Sequence, residues 1–420
     1  ASTTDGGTDA DGAAVAEVSA AGLILQAGAG IGSAANHLET SVATLAANAG
    51  ALFISERDGL AVDRVAVQVN RVGADASVTA TDVSAEDLSA SAAGAVVLEV
   101  AAGDLTIQAG TASTAGVVVG SGALRLQAQG GALTLHAGVL SQGGSVSLLA
   151  AGALTQAAGA AVSTTGAGTI DLESGAAISM APGATIEAGS GNVRVLAGTT
   201  LQLGAITTAG AVSLGASSIA DAGSGGTDSV NVTAEALRLV TRGSAAGAGS
   251  AANALEIRVN QLAADVQGEG LFLSESDAVR IGTLGAIGVN RVGSDGVTLT
   301  ATTDGALGQL KSGGALVLQT LGGSIETLAD GGEVIAAGHL LLKAAGAASD
   351  LKLGAALSNL AGHTSLEAGR DLVQGADVTA SAAGKTLELV AGRDLVMAAG
   401  SVTQSRDGHL LLSAGGDVTN

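Results

Sequence analysis

Toward its end, this chain repeats a short leucine-rich block at a nearly constant interval. The last leucines of the successive blocks are Leu342, Leu366, Leu389 and Leu412. Three of the blocks run into a turn-like sequence that ends in an aspartate, at Asp371, Asp394 and Asp417. A fixed period of about 23 residues is typical of a solenoid, in which each repeat buries its apolar side only against its neighbours.

The repeating unit is a short strand of alternating apolar and polar residues, usually preceded by glycine. Examples are Leu105–Ile107, Leu124–Leu126, Val146–Leu148, Val193–Val195 and Leu316–Leu318. Such alternation places one side against a core and the other in water. Helical hairpin repeats have longer periods, and the 66 glycines would break their helices. The sequence predicts an all-β fold, a right-handed parallel β-helix (β-solenoid) of roughly 18–20 coils with about 19–24 residues per coil.

A second, much longer repeat overlies the first. Three segment pairs carry it, at an offset of about 220 residues that drifts slightly along the chain. The pairs are Ser33–Glu39 and Ser250–Glu256, Leu52–Asp58 and Leu271–Asp277, and Val69–Gly73 and Val289–Gly293. The two phenylalanines, Phe53 and Phe272, fall at equivalent places in this repeat.

The long repeat suggests how the chain is organised. We interpret residues 1–17, which are polar and rich in Gly and Asp, as a linker or a first coil. Residues 18–420 are predicted to form one continuous β-solenoid with an internal duplication, about 30–250 and 251–420.

Charge and composition exclude several classes of function. The formal net charge is −21, from 17 basic and 38 acidic side chains, which argues against nucleic acid as a partner because phosphate binding needs clustered Lys and Arg. The chain has no cysteine, so disulfides, zinc–thiolate sites and thiol nucleophiles are excluded. No stretch approaches the roughly 20 uninterrupted apolar residues of a membrane span, so we expect no membrane insertion by this segment.

The repeated elements Ser-Ala-Ala-Asn-x-Leu-Glu and Leu-Phe-Ile/Leu-Ser-Glu, set among Gly-x-Leu-x-Leu-x-Ala-Gly-x-Asp coils, resemble those of very large bacterial surface exoproteins. These are the filamentous-haemagglutinin-like adhesins and related β-strand-repeat proteins. In those relatives a proline often follows the asparagine, whereas His37 and Ala254 stand there in this chain. The resemblance implies an extracellular or bacterial cell-surface stalk or passenger, and it transfers no catalytic or cofactor-binding residues.

We therefore expect a non-catalytic structural segment of a longer secreted or cell-surface adhesin. Its expected partners are neighbouring repeats of the same long chain or identical copies, together with a host-cell or biofilm surface ligand. An alternative is a self-assembling extracellular filament or sheath subunit that stacks end to end by β-strand addition.

Two columns of side chains could hold a metal ion. Asp371, Asp394 and Asp417 form a candidate Ca²⁺ ladder, because stacked carboxylates offer the oxygen ligands that this ion prefers. The alternative, which we favour, is a solvated turn in which Arg370 and Arg393 offset the repulsion. The second predicted column consists of His339, His363, Lys385 and His409, and Lys385 interrupts it as a metal site. We expect no cofactor.

An enzyme that cleaves polysaccharides would need a pair of carboxylates in a cleft. The scattered acidic residues that could supply such a pair are Asp63, Asp82, Glu86, Asp87, Asp171, Glu173, Glu326 and Asp330. We find no long insertion in the sequence to wall a cleft and no Trp or Tyr to stack on sugars. The sequence therefore favours a protein that is not an enzyme.

Overall fold

A computed structural model describes residues 16–91, 93–111, 114–224, 229–243 and 247–420. Within these residues the protein consists of β-strands and turns and contains no helix. Over the described residues the chain winds through about 16 turns of a parallel β-solenoid, which confirms the predicted fold class. It divides into two compact units: unit 1 holds the described residues up to Gly191 together with Val289–Thr302, and unit 2 holds Asn192–Gly288 and Thr303–Asn420.

The strands of unit 1 that precede unit 2 in the chain are β1 (Val18–Gln26), β2 (Gly30–Ile31), β3 (Leu38–Ala49), β4 (Ala51–Glu56), β5 (Leu60–Val62), β6 (Val65–Val72), β7 (Val78–Ala85), β8 (Leu88–Ala90), β9 (Val96–Val100), β10 (Leu105–Ile107), β11 (Ala115–Val119), β12 (Leu124–Ala128), β13 (Leu133–Leu135), β14 (Gly138–Ser141), β15 (Val146–Ala150), β16 (Leu154–Gln156), β17 (Ala161–Thr164), β18 (Ile170–Ser174), β19 (Ile178–Met180) and β20 (Thr185–Ala188).

The strands that follow are β21 (Val193–Ala197), β22 (Thr200–Leu203), β23 (Ala205–Thr208), β24 (Ala211–Ala216), β25 (Ser218–Asp221), β26 (Val232–Thr241), β27 (Gly247–Ala248), β28 (Leu255–Val266), β29 (Gly270–Glu275), β30 (Val279–Ile281), β31 (Ile287–Val292), β32 (Leu299–Asp304), β33 (Leu310–Ser312), β34 (Ala315–Thr320), β35 (Ile325–Thr327), β36 (Val334–Ala336), β37 (Leu340–Ala344), β38 (Leu351–Leu353), β39 (Leu357–Asn359), β40 (Thr364–Ala368), β41 (Leu372–Gln374), β42 (Val378–Ala380), β43 (Leu387–Ala391), β44 (Leu395–Met397), β45 (Thr403–Ser405), β46 (Leu410–Ala414) and β47 (Val418–Thr419).

Each turn contributes up to three strands, and each strand pairs in parallel with its counterpart one turn later. In unit 1, β12 pairs with β15 and β15 with β18, so that Leu126, Leu148 and Leu172 stack directly. All three side chains are 0% exposed. Because the alternation puts every second residue inside, each turn adds one thin layer of Leu, Val and Ile to the core of the unit.

The abundance of glycine follows from the close spacing of successive turns. In unit 1 a column of glycines precedes the longest strand of each turn, and its members are Gly50, Gly94, Gly122, Gly144, Gly168 and Gly191. A Cβ added to Gly144 would overlap the carbonyl oxygen of Gly122 one turn earlier, and the same holds for most of the column. Parallel turns can therefore approach each other here only when no side chain stands between them.

Two turns are much longer than the others, because each carries an inserted β-hairpin. The pairing partner of Leu52 one turn later is Val96, and that of Leu271 is Leu316. The inserted hairpins are formed by β6 with β7 and by β31 with β32. The expectations of 18–20 coils and of no long insertion were therefore wrong, because part of each of these two turns builds a hairpin outside the coil.

Most of the predicted linker, residues 1–15, lies outside the described residues. Val18 begins the first strand. In the part of the chain that the structure describes, no helix is long and apolar enough to cross a membrane.

Candidate interaction surface

A column of outward-facing residues in unit 1 forms the surface on which a hairpin is seated. Successive turns place these residues in register, and we call them the unit 1 strip: Phe53, Val97, Arg125, Ser147 and Asp171. Outward positions of a solenoid normally face water, yet Val97, Ser147 and Asp171 are 0% exposed. Something other than the core must therefore cover the strip.

The cover is the segment Val289–Thr302, which belongs to unit 1 and contains most of the β31–β32 hairpin. Its backbone donates hydrogen bonds to two hydroxyls, from Asn290 N to Thr169 Oγ1 at 2.8 Å and from Val292 N to Ser147 Oγ at 2.9 Å. The carbonyl oxygen of Val292 accepts a hydrogen bond from Arg125 Nη1 at 2.7 Å. Side chains of the strip and the adjacent Thr169 thus satisfy backbone groups of the hairpin that have no neighbouring strand to pair with.

The charged contact of the hairpin is made by Arg291. Its Nε lies 2.7 Å from Asp171 Oδ2, and its Nη2 donates a hydrogen bond to Glu173 Oε2. Burial acts to lower the pKa of Arg291, but its hydrogen bonds to Asp171 and Glu173 outweigh this and raise the pKa. Asp171 is fully buried, so Arg291 supplies the positive charge that makes its burial tolerable.

The apolar end of the strip receives the turn of the hairpin. Phe53, Ala95 and Val97 form a buried cluster, and Gly296 lies so close that an added Cβ would be 2.8 Å from Ala95 Cβ and 3.0 Å from Phe53 Cε1. Gly296 also has a φ of 64°, a conformation that glycine adopts without strain. The turn therefore fits the cluster because it has no side chain at this point.

We expect Arg291→Ala to destabilise unit 1 by about 2–3 kcal/mol, because it leaves the Asp171 carboxylate buried without its partner. The midpoint of guanidinium unfolding, followed by circular dichroism, measures the loss. The matched control is Arg71→Ala, at the equivalent position of the exposed first hairpin, for which we expect a change within about 0.5 kcal/mol. Equal effects of the two substitutions would contradict the assigned role of Arg291.

The first hairpin, β6 with β7, has the same sequence elements but lies in solvent. The pairs of equivalent valines differ sharply: Val72 is 71% exposed and Val292 0%, while Val69 is 40% exposed and Val289 2%. Its turn keeps the positive φ of the second hairpin, at Ala76 with φ 62°. The first hairpin thus has a sequence like that of the seated hairpin but is not seated on a strip.

Unit 2 contains a second column equivalent to the unit 1 strip. We call it the unit 2 strip, and successive parallel pairs place its members in register: Phe272, Val317, Leu341, Ser365 and Glu388. All five are half-buried rather than buried. Burial along the two strands differs accordingly. The strand that contains Asp171 buries its first three residues, whereas buried and half-buried residues alternate in the strand that contains Glu388.

Within unit 2, a separate set of hydrogen bonds holds the residues that follow the hairpin. Asp304 accepts hydrogen bonds from Ser213 Oγ at 2.6 Å and Arg194 Nε at 3.3 Å, and Arg238 Nε donates to the carbonyl of Gly305 at 2.8 Å. Burial lowers the pKa of Arg238, while Asp304 acts in the opposite direction.

The predicted aspartate column exists, with arginines interleaved between its carboxylates. Arg370 binds Asp350 through two hydrogen bonds of 2.6 and 2.7 Å, and Arg393 binds Asp371 in the same manner. Each carboxylate also accepts the backbone N–H of the next aspartate, as from Asp417 to Asp394 Oδ1 at 3.1 Å. Hydrogen bonds from the arginines lower the pKa values of Asp350 and Asp371. Among the described residues, no group of three or more acidic or histidine side chains is placed to hold a metal ion.

The prediction of a histidine column is correct for His339 and His363 but wrong for Lys385. His339 and His363 stack with ring centroids 5.4 Å apart, and the next position is Thr386, not Lys385, because Thr364 N bonds the carbonyl of Thr386. Thr386 N donates to His363 Nδ1 at 3.0 Å. The column is therefore joined by hydrogen bonds from one turn to the next.

The other carboxylates considered for catalysis have separate hydrogen-bond partners. Asp63 accepts from Arg64, Asp82 from Gln68, Glu86 from Thr111, Asp87 from Gly110, Glu326 from Arg280 and Asp330 from Thr283. Asp171 and Glu173 share Arg291, as described above. The strip and its hairpin were not predicted from the sequence, although the repeated segments Val69–Gly73 and Val289–Gly293 lie in the two hairpins.

Comparison with known proteins supplies no relative: no family, no curated protein and no solved structure matches this chain.

Proposed function

We propose that this chain is a structural repeat segment, a stalk or passenger, of a large secreted or cell-surface bacterial adhesin, and that it acts without catalysis. The observation that carries the proposal is the repetition of a whole docking device. Both units present a corresponding strip of outward residues, and the chain carries two hairpins of like sequence, one of which is seated on the unit 1 strip. A repeat that contains both a docking element and its receptor is suited to serial arrangement in a long chain.

In this proposal the segment acts by supplying length and stiffness. Strands in a parallel ladder lie about 4.8 Å apart, so each added turn extends a solenoid by that distance. Backbone hydrogen bonds from turn to turn, as between Leu124 N and Ser145 O at 2.9 Å, resist both bending and separation of the turns. A protein without cysteine obtains its stiffness from these ladders rather than from disulfides.

The surface supports the same proposal. A net charge of −21 keeps solenoids apart in solution and opposes non-specific association. The interleaved Asp and Arg side chains from Asp350 to Asp394 hold their turns in register. The partners in this proposal are neighbouring repeats and a ligand on a host-cell or biofilm surface.

Antibody labelling of the producing bacterium tests the proposal. An antibody raised against this chain is expected to label intact cells, and brief protease treatment of intact cells is expected to remove the label. In-frame deletion of the coding segment is expected to reduce adhesion of the cells to a biofilm or host-cell layer. Labelling that appears only after the cells are permeabilised would contradict the proposal, whereas antigen on fibres shed from the cells would favour the filament subunit instead.

A further inference from the structure

We propose that the unit 2 strip is a docking site for the β6–β7 hairpin of a second copy of this chain. The inference rests on the proposed function, in which neighbouring repeats meet, and it names the surface through which they meet. The hairpin already seated on the unit 1 strip serves as an internal template for the contact.

Three polar receptor groups of the template have counterparts in unit 2. In unit 1 the side chains of Thr169, Ser147, Asp171 and Glu173 accept hydrogen bonds from the seated hairpin, and the first three of them have an acceptor at the equivalent position of unit 2. The pairs are Thr169 and Thr386, Ser147 and Ser365, and Asp171 and Glu388. The hydroxyls are of the same kind, and Glu388 supplies a carboxylate in place of Asp171. The unit 2 strip and the adjacent Thr386 can therefore accept the same two backbone N–H groups and one of the two ion pairs of the arginine.

The apolar receptor groups are identical. In unit 1 the cluster consists of Phe53, Ala95 and Val97. Its counterpart in unit 2 consists of Phe272, Ala315 and Val317, because in each unit these residues lie on or beside two strands that pair across the long turn. In unit 1 the cluster is buried beneath the turn of the hairpin. In unit 2 its members are half-buried, so an equivalent turn would remove further apolar surface from water.

The free hairpin carries the matching donors. Asn70, Arg71 and Val72 stand where Asn290, Arg291 and Val292 stand in the template. They are exposed, as are the apolar side chains Val67, Val69, Val72 and Val78. The hairpin also leaves its turn at the same place, between β5 and β8, as the template does between β30 and β33.

Four differences set the strength of the contact. Val390 replaces Glu173, so the arginine loses one of its two carboxylate partners. Ala254 replaces His37, whose Nε2 lies 3.0 Å from the carbonyl oxygen of Ser294 in the template. Leu341 replaces Arg125, so the hydrogen bond to the hairpin carbonyl is lost and an apolar contact takes its place. Ala76 replaces Gly296, and the template shows that a Cβ at this point would lie 2.8 Å from the alanine of the cluster. The turn must therefore shift slightly to seat Ala76. We expect Ala76→Gly to strengthen docking, because it removes this overlap.

Cross-linking between two single-cysteine variants tests the inference, because the natural chain has no cysteine. Val72→Cys and Ser365→Cys are mixed as separate chains and oxidised. In the template, the equivalent Val292 N and Ser147 Oγ are 2.9 Å apart, so we expect a disulfide-linked heterodimer on a non-reducing gel. The positive control is the double variant Val292→Cys with Ser147→Cys, which is expected to close a link within one chain.

Two further controls separate docking from random collision. Ser358 lies on β39, which belongs to a different column of strands from the strip, so Ser358→Cys is expected to give no cross-link with Val72→Cys. Arg71→Glu and Glu388→Arg are each expected to reduce the heterodimer yield by about tenfold, and their combination across the two chains to restore it. Equal yields from Ser358→Cys and Ser365→Cys, or no response to the charge reversals, would overturn the inference.

The cross-linking result is independent of the antibody labelling described above. Heterodimers with labelling confined to permeabilised cells would uphold the docking site and overturn the adhesin proposal. Labelled intact cells without specific heterodimers would do the reverse.

Discussion

Gly144→Ala is expected to destabilise unit 1 by at least about 3 kcal/mol, an unusually large effect for the addition of one methyl group. The new Cβ would overlap the carbonyl oxygen of Gly122 in the preceding turn. That contact is with backbone, which cannot rotate away, so the ladder between the two turns must open. Guanidinium unfolding followed by circular dichroism measures the loss.

The control is Gly28→Ala in the same unit, because a Cβ at Gly28 would meet nothing within 4 Å. We expect its unfolding midpoint to stay close to that of the natural protein or to rise slightly, since alanine lowers the entropy of the unfolded chain. If Gly144→Ala were as stable as Gly28→Ala, the glycine column would not set the spacing of the turns.

The stability of unit 2 is expected to fall as the pH rises from about 4.5 to about 8. Glu275 is 0% exposed, and burial raises its pKa from 4.5 to about 8, although backbone N–H groups of Asp277 and Val259 act to lower it. Between these values the folded state binds a proton that the unfolded state has lost, so each increase in pH favours unfolding. The loss of stability over this pH range amounts to at most about 5 kcal/mol. The full stabilising contribution of the Glu275 proton is present below the pKa of this group in the unfolded state.

The equivalent carboxylate in unit 1 has a hydrogen-bond donor that Glu275 lacks. Glu56 occupies the equivalent position, and it accepts a hydrogen bond of 2.6 Å from Thr40 Oγ1 in addition to backbone N–H groups. Ile257 stands in place of Thr40 in unit 2. We expect Ile257→Thr to lower the pKa of Glu275 and to flatten the pH profile of unfolding between pH 5 and pH 9, whatever its effect at low pH. An unchanged slope would show that Glu275 does not control it.

The parts of the fold that depend on local period could be predicted from the sequence. Apolar residues at alternate positions, repeated at a nearly constant interval, specify short strands that stack, and Leu366, Leu389 and their neighbours lie where this pattern places them. The alternation also predicted the strict inward and outward pattern of strands such as β43.

The docking surface could not be predicted in the same way, because it is formed by residues far apart in sequence. On its own strand, Asp171 has the pattern of a surface carboxylate, and only the seated Arg291, from a distant part of the chain, buries it. The sequence does contain a signal of the hairpins, namely the alternating valines around Asn70 and Asn290. Their alternation is the same as that of a coil strand, so the pattern alone did not distinguish an inserted hairpin from another turn.

Two hairpins of like sequence occupy different environments in this protein, one seated on its strip and one free. Hydrogen–deuterium exchange of the dilute protein, resolved by peptide mass, measures this directly. We expect the peptide spanning residues 287–302 to exchange at least about ten times more slowly than the peptide spanning 65–82, because Asn290 and Val292 donate to buried hydroxyls. Equal exchange of the two hairpins in dilute solution would contradict the assignment of one as docked and the other as free.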